Sequence, residues 1–241
     1  MTPVLSIILP FYKKTEAFAK AIERNKVFFN PNYEIVLLLD APGDALEVIQ
    51  IARANKGIHW SIFENSTPHD WRNPSKPLNV GIRKARSDVS LILSPETLWL
   101  TDVPGELLAH TKLNPGKYHY GNVTLSQKFE EISLETFDAT KQWSCGSLCC
   151  KTQHLRDVGG YDESLDGWGA DDDNIRRRLI LNKIYAQNHP STKLAHPTDS
   201  SPHRKYSTST RARLRDLVNP KEAVVNTDNW GKDFDTLIYR T

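Results

Sequence analysis

The sequence predicts an α/β protein built on a mostly parallel sheet with helices on its faces. Three observations carry that expectation. Short, uninterrupted apolar runs recur at Val4–Pro10, Tyr33–Asp40, Ile58–Phe63 and Val89–Leu93, the pattern of strands buried on both faces. Helical segments separate them, and strand–helix–strand alternation implies parallel units with right-handed crossovers. At 241 residues the chain suits one large domain that buries enough surface to need no staples.

Taken in order, Val4–Pro10 ends in a residue that suits a strand leaving its sheet. Thr15 is placed to cap a helix over Glu16–Asn25, with Phe18, Ala21 and Ile22 on one face. Tyr33–Asp40 is a second strand, Asp44 opens a helix reaching Ala54, and Ile58–Phe63 is a third strand. Glu64–Lys76 is polar and reads as a loop. Pro77 suits the first turn of a helix continued by Leu78–Ala85. After Val89–Leu93, Thr101 or Asp102 caps a helix over Val103–Thr111. Lys117–Leu125 alternates as a strand does, Ser126–Gln142 is irregular, and Cys145–Cys150 is a short apolar strand. Thr152–Val158 is helical, ended by Gly159 and Gly160, which give the backbone positive-φ freedom. Lys183–His189 is a further strand and Ser207–Val218 a short basic helix. The tail to Thr241, with Trp230-Gly231, is expected to fold back over the site or to form a lid. Ligands of such sheets bind at the carboxyl ends of the strands, so Pro10–Tyr12, Asp40 and the residues after Phe63 should line one crevice.

Composition excludes several classes. A formal net charge of +2 provides no strong field for nucleic acid. Neither Gly-x-Gly-x-x-Gly nor a Walker pattern occurs, which weighs against dinucleotide dehydrogenases and P-loop enzymes. Cys145, Cys149 and Cys150 are odd in number and lack metal-site spacing, so they read as reduced thiols buried in a strand, in a reducing compartment. No apolar run reaches the roughly 18–20 residues needed to span a bilayer, and no signal-peptide pattern is present. The expectation is a soluble, cytoplasmic protein without a transmembrane segment, compatible with peripheral membrane contact. Its oligomeric state is not legible.

The most informative stretch is Gly159–Asn182. Here Asp171, Asp172 and Asp173 follow a Gly167-Trp168-Gly169 turn and open a helix whose later turns hold arginines, an order that complements the helix dipole. A plain reading is that the aspartates only cap the helix. A cap bonds one or two amides, however, so three carboxylates cannot all serve, and at least one should face outward beside the indole. That pairing suits a sugar, whose C–H face stacks on Trp while a hydroxyl donates to the carboxylate.

Gly-Gly-Tyr-Asp-Glu at 159–163, followed by Gly-Trp-Gly-Ala-Asp-Asp-Asp at 167–173, resembles the acceptor-side motif of GT-A-fold glycosyltransferases. The closest echoes are family 2 and the galactosyltransferase-like C-terminal segment, where the pattern reads Gly-Gly-Phe-Asp-Glu and Gly-Trp-Gly-x-Glu-Asp. The resemblance extends in broad layout from Val4 to His203 and is specific in this one stretch. It implies a GT-A fold: a single Rossmann-like, mostly parallel sheet flanked by helices, with a small antiparallel acceptor-side subregion. Residues 1–100 would form the nucleotide-sugar-binding half, 101–204 the acceptor and catalytic half, and 205–241 the tail. The implied activity is inverting transfer of a sugar from a nucleoside diphosphate, UDP by preference, to a hydroxyl of a glycan or other acceptor, as in polysaccharide biosynthesis.

By position in the motif, Asp172 is the implied base and Asp171 binds acceptor hydroxyls, with Asp171 the other candidate for the base. Trp168 and Gly169 supply the acceptor platform. Pro10, Phe11 and Asp40 match the family's nucleobase contacts, with Tyr12 beside them; the alternative for Asp40 is an Asx-turn in Asp-Ala-Pro-Gly. A second family Asp is replaced by Ala41. Asn79 matches a helix lying against the donor diphosphate. The usual basic residue before it is Leu78 here, and Arg72 and Lys76 are its substitutes unless they are simply solvated loop residues. The family's metal-binding Asp-x-Asp reads Ser94-Pro95-Glu96. A divalent cation, Mn²⁺ or Mg²⁺, would rest on Glu96 and His196; otherwise Lys or Arg must meet the charge of the leaving group. His203-Arg204-Lys205 could reach phosphates from a closing loop. The missing first carboxylate motivates an alternative, a catalytically degenerate GT-A domain that binds a glycan or partner. A nucleotidyltransferase ranks last, because no glycine follows the first strand.

Overall fold

The first half of the chain lays down four parallel strands: β1 (Leu5–Phe11), β2 (Tyr33–Leu39), β3 (His59–Glu64) and β4 (Val89–Leu93). They are joined by α1 (Thr15–Asn25), α2 (Ala45–Ala54) and α3 (Ser75–Lys84). Their lateral order is β3-β2-β1-β4, so the chain reverses its direction of build between β1 and β4. This is the topological switch point at which α/β sheets open a ligand crevice. The second half adds β5 (Leu98–Trp99), α4 (Val103–Leu113), β6 (Lys117–Ser126), β7 (Gln142–Trp143), β8 (Ser147–Lys151), α5 (Thr152–Asp157), α6 (Asp171–Leu181) and β9 (Tyr185–Pro197). Strand β8 pairs antiparallel with both β4 and β6, β9 runs parallel to β6, and β5 is antiparallel to β9. The expected mostly parallel sheet with a small antiparallel region is therefore present. The computed structural model describes residues 2–126, 131–138, 142–143, 147–198, 216–226 and 228–241.

Period-two side-chain alternation sorts the apolar runs into two cores. Ile7, Leu9, Phe11, Ile35, Leu37 and Leu39 face α1, α2 and α4. Ile8, Val36 and Leu38 face α3, α5 and α6 on the other side. All seven residues of β2 are buried, as its unbroken apolar run requires. Gly81 lets α3 approach the sheet closely, since a Cβ there would lie 2.4 Å from Ile8 Cγ2.

Some local expectations fail for identifiable reasons. Thr15 is inside α1, and its hydroxyl bonds Asp44 Oδ1 at 3.2 Å; the cap position is Lys14, with no side-chain cap bond. Strand β9 spans thirteen residues, well beyond His189. Its polar Tyr-Ala-Gln-Asn-His-Pro-Ser-Thr-Lys half hides a strand that pairs with β6 along its length. The last strand, β10 (Thr236–Arg240), adds antiparallel to the outer edge of β3 and brings the tail back along the sheet. Cys145, His203-Arg204-Lys205 and most of 207–218 lie outside the described residues. Cys149 and Cys150 are free, buried thiols of β8; burial pushes Cys149 up to about 12, although Thr111 donates to it. No helix among the described residues is long and apolar enough to cross a membrane.

Three histidines pack between α4, β6 and β9. His110 stacks on His189 with ring centroids 3.6 Å apart, and His119 Nδ1 lies 2.9 Å from His189 Nε2. Burial first, then the His110, His119 and Lys117 charges, lower His189 to about 4. Between that value and the unfolded value of about 6.5, the unfolded chain binds a proton that the folded chain refuses, so stability rises with pH across the window. Urea unfolding at pH 4.5 and 7.5 should show the lower stability at pH 4.5, and His189→Gln should flatten the difference.

Candidate active site

The carboxyl ends of the parallel strands form the crevice. Phe11 is 1% exposed and meets Phe18 edge to face at 5.6 Å, so it anchors the core beneath the crevice and presents no side chain to a nucleotide. Pro10 is half-buried at the end of β1. Tyr12 stacks on His69 and donates to its carbonyl at 3.1 Å. Asp40, just past β2, is buried and accepts from Arg72 through both oxygens, with Nε at 2.9 Å, while His69 Nε2 stands 3.6 Å away. It forms an ion pair, which replaces the expected Asx-turn. Burial raises the Asp40 carboxyl and Arg72 opposes that rise.

The tail completes this corner. Arg72 bridges from Asp40 to Asp233, and Lys76 Nζ is 3.5 Å from the same Asp233. Those cations hold Asp233 below its usual value against the effect of burial. Burial alone would lower the Arg72 guanidinium, yet Asp40 and Asp233 raise it. Arg72 and Lys76 are thus at the crevice, as expected, but both are engaged by carboxylates. Asn79 is placed differently from the expectation. It is fully buried; its amide donates to Tyr161 O and Glu163 Oε1, both at 2.8 Å, and its oxygen accepts from Tyr161 N at 2.6 Å. Its role is to pin the Gly-Gly-Tyr-Asp-Glu turn against α3.

That turn is built as the sequence suggests: Gly159 and Gly160 have φ of +74° and +69°. A Cβ at Gly159 would sit 1.9 Å from Val225 O, so the tail packs directly on the glycine. Arg178, fully buried, donates to Val158 O at 2.7 Å, Gly160 O at 2.6 Å and Asn174 Oδ1 at 2.7 Å. Burial lowers its guanidinium to about 10.

The acidic helix begins from a strained residue. Ala170, at the cap position of α6, has φ +73° and makes no side-chain cap bond, a conformation that costs on the order of 1–3 kcal/mol. Asp171, Asp172 and Asp173 therefore occupy the first turn without filling the cap position. Asp171 and Asp172 are half-buried and Asp173 is exposed. The Asp171 carboxyl is raised, by burial first and by Asp172 second, while Asn73 bonds its charged form. Trp168 is 36% exposed on the turn before it.

Asn73 joins the two halves. Its oxygen accepts from Ser75 N at 3.0 Å and Ser75 Oγ at 2.6 Å, fixing the start of α3. Its amide donates to Gly167 O at 2.8 Å, and Gly169 O lies at 3.4 Å. One buried side chain thus places the Gly-Trp-Gly turn and Asp171 one residue from Arg72 and its Asp40 partner.

At the end of β4, Glu96 is 2% exposed. His196 Nε2 lies 3.3 Å from its Oε1, and the Lys14 ammonium is bonded to the same oxygen. Burial would raise Glu96, but Lys14 and His196 bring it well below the usual carboxylate range. The two expected metal ligands are thus neighbours, with a lysine that the sequence did not pair with them. As a metal centre the set is poor. Oε2 is buried without a hydrogen-bond partner, so a single oxygen is on offer, and an ammonium already neutralises the carboxylate. No group of three or more His, Cys, Asp or Glu among the described residues could hold an ion, whereas Mg²⁺ and Mn²⁺ want several oxygen ligands. The residues present do not fit a protein-built divalent site.

The architecture has solved counterparts. A mannosyltransferase from Pyrobaculum calidifontis, solved with GDP-Man and Mn²⁺, superposes with a TM-score of 0.60 at 15% identity over 84% of this chain and 59% of that one. GalNAc-T7, solved with UDP, GalNAc and Mn²⁺, gives 0.69 at 14% identity over 90% and 48%. Residues 1–349 of S. aureus TarS with UDP-GlcNAc give 0.68 at 14% identity over 89% and 65%. The fold is that of the GT-A glycosyltransferases. Residues 133–200, which contain the acidic motif, match the family described as the N-terminal domain of galactosyltransferase. No curated protein matches the chain. The chain spans between about half and two thirds of the length of these GT-A structures.

Four residues of this GT-A site escaped the sequence reading: Lys14, Asn73, Arg178 and Asp233. Asn73 alone left a usable signal, an Asn-Pro-Ser start before a helix. Arg178→Met should cost about 3–5 kcal/mol in urea unfolding, because two buried carbonyls and an amide oxygen lose their donors. Arg178→Lys should recover little of it, since an ammonium lacks the planar fork that reaches all three.

Proposed function

We propose that the chain is an inverting glycosyltransferase that takes a sugar from a nucleoside diphosphate, UDP by preference, and passes it to a hydroxyl of a glycan or similar acceptor. The observation that carries this reading is the junction at Asn73, which sets the Asp171–Asp172 pair and the Trp168 indole beside the strand-end crevice. The crevice lies at the switch point where such sheets receive nucleotides. The acceptor sugar would stack on Trp168 and be held through a hydroxyl by Asp171.

Asp172 then takes the proton of the attacking hydroxyl. The acceptor oxygen bonds to the anomeric carbon while the bond from that carbon to the diphosphate oxygen breaks on the opposite face. The nucleoside diphosphate leaves with the electron pair. One placed base suffices for direct displacement, and the hydroxyl becomes more acidic as the bond forms. Charge gathering on the leaving diphosphate must be met by a fixed cation. A cytoplasmic setting fits the free thiols of Cys149 and Cys150. The replacement of a family carboxylate by Ser94 favours the second reading, a GT-A domain that binds sugars without turnover.

Asp172→Asn separates the two. Transfer should fall about 10²- to 10⁴-fold, the scale of a lost general base, with thermal stability and nucleotide affinity kept. Undiminished transfer would move the base elsewhere, and absence of nucleotide release by the wild-type chain with any nucleotide sugar and acceptor would leave the binding reading. Because Asp171 and Asp172 resist full ionisation together, the acid limb of the pH–rate profile should lie above the range of an isolated aspartate, and Asp171→Asn should shift it to lower pH.

A further inference from the structure

The cations near the crevice divide into two sets. Arg72 and Lys76 are spent on Asp40 and Asp233 at its outer corner, where the tail closes over them. Lys14 stands apart, at the start of α1 directly after β1, and its ammonium reaches across the switch point to Glu96 at the end of β4. Its side chain is 21% exposed and that of Glu96 is 3% exposed, so the pair has a buried floor and an open upper side. The residue that would complete a carboxylate pair around an ion is Ser94, which carries no charge. A carboxylate that holds a cation at the mouth of a diphosphate crevice performs one physical task whichever cation it holds. It fixes positive charge where the leaving group becomes negative, at no reorganisation cost during reaction. An ammonium offers three donors for phosphate oxygens and keeps its charge without further ligands.

We propose that Lys14 is the built-in cation of the donor site, seated on Glu96 and steadied by His196, and that diphosphate recognition in this chain runs on it without a divalent ion. The inference rests on the glycosyltransferase reading and sharpens it by naming the group that meets the diphosphate.

The test is calorimetric binding of UDP and of GDP to the wild-type chain, once with EDTA and once with Mn²⁺. The expected result is binding of at least one nucleotide in EDTA, with an affinity within about threefold of that in Mn²⁺. Lys14→Met should lose about tenfold or more in EDTA, the scale of one charge-assisted contact, and should regain part of it with Mn²⁺ because the vacated Glu96–His196 seat then admits an ion. Lys14→Arg keeps the charge, guards against misfolding of the Met variant, and should bind in EDTA. Wild-type binding that appears only with Mn²⁺ would overturn the inference while leaving the donor site intact, as would a folded Lys14→Met variant that binds in EDTA like the wild type. Failure of both nucleotides to bind in either condition would instead overturn the donor-site reading, and this inference with it.

Discussion

The placement of the site depends on one buried amide. Asn73 uses its oxygen to start α3 and its nitrogen to hold the Gly-Trp-Gly turn, and it also bonds Asp171. At 1% exposure no water competes for these bonds, so each left unmade would cost the full desolvation of its partner. The side chain therefore fixes the distance between a crevice built by the first half of the chain and an acid built by the second. Those halves share one sheet, but the sheet alone does not orient the loops above it.

Around that junction the interior is organised by polar staples. Asn79 holds Tyr161 and Glu163, Arg178 holds Val158 and Gly160, and Asn226 donates to Gly159 O and Tyr161 O, both at 2.6 Å. Two successive glycines in the left-handed region expose carbonyls that no strand or helix satisfies, and these side chains supply the donors. The strain at Ala170 belongs to the same design. A left-handed residue immediately before the acidic turn directs α6 so that its first carboxylates sit over the crevice, and the surrounding bonds hold it there.

The fold was legible because its signal is repetitive. Four apolar runs with helices between them specify the parallel core, and both glycine turns and the acidic helix start appeared where residue type demands them. Strand β10 and the long half of β9 were not legible, since edge pairing with partly exposed faces leaves no apolar alternation to read. The site was legible where chemistry is local, as in Trp168 and the aspartates. It was obscure where it depends on long-range partners. Asn79 carries the family motif yet serves packing, and nothing near Lys14 in the sequence announces Glu96 as its partner 82 residues away. Phe11 shows the converse, a residue in a ligand-facing segment whose side chain turns to the core because β1 alternates.

The account reduces to a claim about position: a nucleoside diphosphate at the ends of β1 and β4, with its sugar turned toward Asp171 and Asp172. A crystal structure of the chain with UDP-glucose or GDP-mannose tests it most directly. The account predicts the diphosphate against Lys14 and the anomeric carbon facing the aspartate pair across an acceptor-sized gap beside Trp168. A nucleotide bound away from those strand ends, or a sugar directed away from the acidic turn, would contradict it.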